Sequence, residues 1–320
     1  MQRNNSIDIA RFIFAFLVIV LHVPLIGGGM IAPVARCAVP FFFVVSGFYL
    51  YSGDKLKLKL KIKANIKKWF ALWVFYTLIL ALVVFVLKLL YDDSPSWTLH
   101  DTFSLIRSGV CKSLDLITIN GKFFGTSTMW FLYAGFISFC FFFIIREHMN
   151  KPITTILIGM LLLIGCSVNY VFGKIVVDRS ISVAIPFMYA GYVIRQYKNL
   201  CLSLKNSNIL LIITLFLITL YVEVLINNQL HKNVEVFFST IPLTIFSFIY
   251  LVKNPNLIGL NIKIPIKVAM DVYIWHRLVY VLLFGVIGLN IVNQFAAIIV
   301  FIVIMFIAAM VRTKFYSVAK

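Results

Sequence analysis

The chain has 320 residues, of which 62% are hydrophobic and 12% charged, with a net charge of +18 and a mean hydropathy of +1.00. So little polar surface cannot cover a water-soluble globule of this length, which excludes a soluble enzyme and points to an integral membrane protein. The positive charge lies beside apolar segments rather than on a soluble basic face, so it does not indicate a nucleic-acid partner.

Apolar windows long enough to span a bilayer fall at about 9–27, 31–51, 69–91, 128–146, 152–172, 181–197, 208–226, 235–252, 267–288 and 291–311. They predict an all-α polytopic membrane bundle of about ten transmembrane helices. The runs are near-continuous at helix length, unlike the alternating ten-residue segments of a barrel. No repeat and no compositional break divides the chain, so residues 1–320 read as a single transmembrane domain with no separate soluble domain.

The first element, "IDIARFIFAFLVIVLHVPLIGGG", carries Asp8, Arg11 and His22. Residues eleven apart turn through about 1100°, within roughly 20° of three full turns, so Arg11 and His22 share one face about 16 Å apart along the axis. Charged groups inside a span are costly and usually face a cavity or a partner. Arg11 is near one end, where it either snorkels to the interface or lines such a cavity, and Asp8 is placed to pair with it. The second element, "ARCAVPFFFVVSGFYLY", opens with Arg36. Antiparallel passage across a short glycine turn brings Arg36 to about the depth of His22, a base beside a fixed positive charge. Pro40, Ser46 and Gly47 in this span read as kinking or close helix packing.

The run "KLKLKLKIKANIKKW" precedes the third span. It is either a topology determinant at an anionic leaflet or a landing site for a polyanionic ligand such as a nucleotide-bearing cofactor. Residues 92–127 form the longest connection and contain Trp97, His100, Leu105, Ile106 and Leu116, so part of it is expected to fold against the bundle mouth. Trp130 opens the fourth span at an interfacial position. In the ninth, "MDVYIWH" places Asp271 and His276 where exposure to lipid is unfavourable.

Positive residues set the orientation. With both termini in the cytoplasm, nineteen lysines and arginines fall on the inner segments and six, Arg107, Lys112, Lys122, Lys174, Arg179 and Lys232, on the outer loops. The five cysteines are scattered without a CxxC. There is no Walker sequence, HExxH, GxSxG or Cys/His cluster with metal spacing, so no metal is expected and any chemistry must use a few buried His, Arg and Asp groups.

These residues resemble the integral-membrane acyltransferase 3 family. The likeness lies in "IDIARFIFAFLVIVLH", with its Asp, Arg, ten residues and His, and in "RCAVPFFFVVSGFYL". The second block is close to the membrane modules of vancomycin-resistance serine racemases. Weaker echoes are "MWFLYA", "IPFMYAGYVIR" and "VYIWH", so the likeness runs from residue 7 to about 280.

The resemblance implies transfer of an acyl group, usually acetyl, from cytoplasmic acyl-CoA to a hydroxyl of a sugar or cell-surface glycan, in a bacterial cytoplasmic membrane. It implies His22 as general base and Arg36 as the group that orients the acyl carbonyl. Arg11 becomes a donor-side positive charge, supported by Asp8, with Trp130 and His276 as further candidates on the cofactor side. Acetyl-CoA or another acyl-CoA is the expected donor. Expected partners are a glycan or lipid-linked sugar acceptor and membrane lipids. The alternative is a transporter or flippase of a small solute or lipid-linked sugar, which ten spans with buried charges also fit.

Overall fold

A computed structural model describes residues 4–23, 25–91, 130–172, 177–230, 236–257, 259, 266–280, 283 and 295–318. The connection with Trp97, His100, Leu105, Ile106 and Leu116 lies outside the described residues. Among those residues the chain is helical and has no strand, as the apolar pattern predicts. The stretches Asn5–His22, Gly28–Leu50, Pro152–Phe172 and Asn206–Gln229 are long and apolar enough to cross a membrane. Trp130–Ile145, Thr240–Lys253 and Ala296–Ile307 are shorter apolar helices.

Helix α1, Asn5–His22, starts at Asn4, whose side chain accepts from Ile7 N at 3.0 Å, satisfying one of the first-turn donors. This end is tied to a distant part of the chain. Asn4 Nδ2 donates to Leu251 O at 3.0 Å, Ser6 N donates to Pro255 O at 3.0 Å, and Ser6 Oγ accepts from Leu257 N at 3.0 Å.

The chain reverses at Gly27, whose φ of +70° suits a residue without Cβ. The expected second span, Gly28–Leu50, is interrupted locally at Arg36 and Cys37, which divide it into α2 at Gly28–Ala35 and α3 at Ala38–Leu50. Pro40 explains the break. It has no N–H for the carbonyl of Arg36 four residues earlier, and its ring crowds that carbonyl, so the helix restarts with Pro40 in its first turn.

Helix α4 runs unbroken from Lys55 to Tyr91, 37 residues, about 55 Å. That exceeds the roughly 30 Å hydrocarbon core, and the lysine-rich run is the first part of this one continuous helix rather than a loop. Asp54 starts it by accepting from Leu56 N and Lys57 N at 2.8 and 3.2 Å. Along the run Leu58 and Ile62 are buried, whereas Leu56 and Leu60, about 200° away on the helix, are exposed. Helix α5, Trp130–Ile145, packs along α4, and the Trp69 ring fills the notch at Gly135.

Helix α6, Pro152–Phe172, leads to a π-helical turn at Ser180–Ala184 that enters α7, Ile185–Gln196. Pro186 again supplies the reason, because it cannot donate to the carbonyl of Ser182, and Ile185 N reaches back to Ser180 O instead. Helices α3 and α7 cross at glycines. A Cβ at Gly47 would run into the carbonyl of Met188, and one at Gly191 into the carbonyl of Val44. Gly47 therefore serves close helix packing, the use of small residues typical of membrane bundles.

The remaining helices are the short α8, Lys198–Ser203, then α9, Asn206–Gln229, α10, Thr240–Lys253, α11, Ile266–Tyr280, and α12, Ala296–Val318. Helices α6 and α9 leave most of their apolar side chains exposed. The main core joins α1, α3, α4, α5, α7, α10, α11 and α12, with Ile158, Leu162 and Cys166 of α6 and Ile209 of α9 added to it.

Candidate active site

Helices α1 and α11 lie against each other and run in the same sense, as their side-chain partners show. Arg11 shares a cavity with Ala269, Met270 and Tyr273, and further along both helices the ring of His22 stacks on that of His276, with centroids 5.4 Å apart and planes 26° apart. The face of α1 that carries Arg11 and His22 is thus turned toward α11, as their eleven-residue spacing predicts.

The cavity has a volume of about 210 Å³. Arg11, Lys68, Asn65 and Ser46 give it polar walls, and Trp69, Phe131 and Tyr273 aromatic ones. Arg11 lines the cavity, with its side chain 20% exposed and Nη1 4.0 Å from Oδ1 of buried Asp8. Its Nε is buried and has no hydrogen-bond partner among the described residues. A guanidinium so placed can offer an N–H to a ligand.

Tyr273 connects the cavity to the histidines. Its ring lines the cavity and stands 6.1 Å from the His276 ring, and its carbonyl lies 2.7 Å from His276 Nδ1. A carbonyl only accepts, so Nδ1 carries the proton in this contact and Nε2 is the basic nitrogen of the neutral ring. His276 is fully buried, whereas His22 is exposed. One imidazole of the pair is at the protein surface and the other is held behind it.

The other candidates are positioned as follows. Arg36 stands at the α2–α3 break with its guanidinium over the Phe237 ring, 5.7 Å from the centroid. Trp130 begins α5, under the guanidinium of Arg179 at 4.9 Å and 6.4 Å from the Phe43 ring. Its neighbour Phe131, not Trp130 itself, lines the cavity and packs on Tyr273, with centroids 4.7 Å apart. Asp271, on α11, is half-buried.

Sequence reasoning alone missed Asn65, Lys68, Trp69 and Tyr273. The first three sat within a run read for its total charge, although their spacing puts them on one helix face. Tyr273 was visible only as an apolar position within "VYIWH". No group of three or more His, Cys, Asp or Glu able to hold a metal ion occurs among the described residues.

A family model described as an acyltransferase domain matches residues 4–312. No curated protein and no solved structure matches the chain.

Proposed function

Because the chain belongs to the acyltransferase 3 family, we propose that it moves an acyl group, acetyl in the simplest case, from cytoplasmic acyl-CoA to a hydroxyl of a sugar. The acceptor is a cell-surface glycan or a lipid-linked precursor met at the outer face of a bacterial cytoplasmic membrane. In this reading both termini are cytoplasmic and about ten helices cross the bilayer.

The observation that carries the reading is the alignment along α1 and α11 of a polar-walled cavity at Arg11, Tyr273 beyond it, and a histidine pair beyond that. At about 210 Å³ the cavity is smaller than the roughly 300–1,000 Å³ of pockets that enclose a whole drug-sized ligand. It suits a slim pantetheine arm, with the nucleotide left at the rim. The Arg11–His22 separation of about 16 Å is of the length of that arm.

In the proposed mechanism the acceptor reaches exposed His22, which takes the hydroxyl proton as oxygen attacks the thioester carbonyl. The new C–O bond forms, the C–S bond breaks, and CoA leaves as a thiolate. His276, its tautomer set by the Tyr273 carbonyl, holds the His22 ring in place and presents Nε2 as a second basic nitrogen. Arg11 offers its N–H groups to the arm, and Asp8 holds the guanidinium. Arg36 is assigned to the acyl carbonyl or the oxyanion that develops on it.

The test is transfer of labelled acetyl from acetyl-CoA in membranes that contain the protein and its native glycans. Label should appear in glycan with the wild type and fall to background with His22→Asn at equal expression. No transfer and no CoA binding by the wild type would overturn the reading in favour of solute transport.

A further inference from the structure

Residues Lys61, Asn65 and Lys68 are spaced i, i+4 and i+7, so they form one stripe of α4 about 10 Å long. Asn65 and Lys68 line the cavity. Asn65 Nδ2 donates to Lys61 O at 2.9 Å, and Lys61 Nζ donates to Tyr51 O at 3.1 Å and Tyr49 O at 3.4 Å. Tyr49 is itself a cavity residue. Lys61 is therefore fixed at the rim on the same face as the two groups inside.

Arg195, in the last turn of α7, has its guanidinium over Phe48 at 5.2 Å from the centroid, and Tyr192, one turn earlier on α7, packs against Tyr51, the residue whose carbonyl Lys61 holds, with ring centroids 5.1 Å apart. Burial, and then the charge of Arg195, hold the Lys61 ammonium below the usual lysine range. Two cations held within each other's field cost free energy unless an anion joins them. The nearby acids are otherwise engaged, since Asp54 accepts from the first turn of α4 and Glu147 pairs with Lys55 at 3.7 Å and Arg146 at 3.4 Å.

We propose that Lys61 and Arg195 clamp a diphosphate at the cavity rim, so that the chain selects its donor by the nucleotide end of CoA. Lys68 and Asn65 then line the path by which the pantetheine arm runs from the clamp to Arg11. This rests on the acyl-CoA reading and adds to it the residues that separate CoA from shorter thioesters. The cavity explains why the clamp lies at the rim, because it has room for the arm and not for the nucleotide.

The experiment compares binding of CoA and of pantetheine to protein in zwitterionic nanodiscs, for wild type, Lys61→Gln, Arg195→Gln and Lys63→Gln. Glutamine at 61 keeps an N–H donor for the Tyr49 and Tyr51 carbonyls. Lys63 is exposed beside Phe143 and serves as a control for general charge. We expect the preference for CoA to fall about ten-fold or more with each of the first two changes, as for loss of one charge-assisted contact. Pantetheine affinity should stay constant and the control should match the wild type.

Equal loss in the Lys63 control, or an unchanged preference in Lys61→Gln and Arg195→Gln, overturns the clamp. Anionic lipid added to the discs is the competing source of phosphate. If it displaces CoA in the wild type and no longer does so in Lys61→Gln, the clamp belongs to a lipid headgroup and the proposal fails. Wild-type protein that binds neither CoA nor pantetheine refutes the acyl-CoA reading itself, a separate result.

Discussion

The crossing of α3 and α7 yields a prediction whose size follows from geometry. In Gly191→Ala the new methyl meets the carbonyl of Val44, and in Gly47→Ala it meets that of Met188. Both obstacles are backbone, so no side chain can swing aside and the two helices must move apart. Overpacking of this kind costs about 1–3 kcal/mol, and the rigid obstacle places each single variant toward the upper end, near 3 kcal/mol.

The two clashes lie on one crossing, so a single separation relieves both. The double variant should therefore cost about as much as either single one, which is a coupling of about 3 kcal/mol in favour of the pair. Denaturant unfolding of the four proteins in one detergent gives the cycle. Because Arg195 is one turn beyond Gly191 and the Tyr49 and Tyr51 carbonyls lie just beyond Gly47, CoA affinity should fall in the same variants. Additive costs, or single variants as stable as the wild type, would refute the reasoning.

Three further outcomes are expected. His22→Asn should lower acyl transfer by about 10²–10⁴-fold, the usual contribution of a positioned base, with CoA binding unchanged; a parallel loss of binding would show that His22 holds the donor rather than serving the acceptor. Glu223 accepts from Phe238 N at 2.9 Å and Ser239 N at 3.0 Å through its two oxygens, and Gln retains only one acceptor oxygen. Glu223→Gln should therefore lose about 1–3 kcal/mol of stability in denaturant unfolding. Lys61 has a lowered pKa and a bound phosphate favours its charged form, so CoA binding should take up protons and weaken as pH rises through that lowered value. Calorimetry in two buffers of different ionisation enthalpy reads the uptake, and Lys61→Gln should abolish it.

What the sequence made legible was local. The common face of Arg11 and His22 follows from helical period alone, and it is the face that meets α11. The break at Arg36 was equally readable, since Pro40 four residues on leaves that carbonyl without its helical donor, and the run still makes one span, Gly28–Leu50. The lysine run shows the limit of counting charge. Its residues point several ways around α4, and only the position of the cavity separates Lys61 and Lys68 from Lys63. The His22–His276 stack was out of reach, because no periodicity relates a residue of α1 to one of α11. The reciprocal glycines were visible one at a time, but not as partners.

The ties at the start of α1 bear on how the protein is made. Asn4 and Ser6 bind residues between Leu251 and Leu257, so α1 is synthesised well before the residues that secure its end. Its histidine finds a partner later still, when α11 arrives. A nascent chain halted before residue 276 already carries α1 to α10 and still lacks half of the pair. Formation of the histidine pair is thereby deferred until α11 has been made.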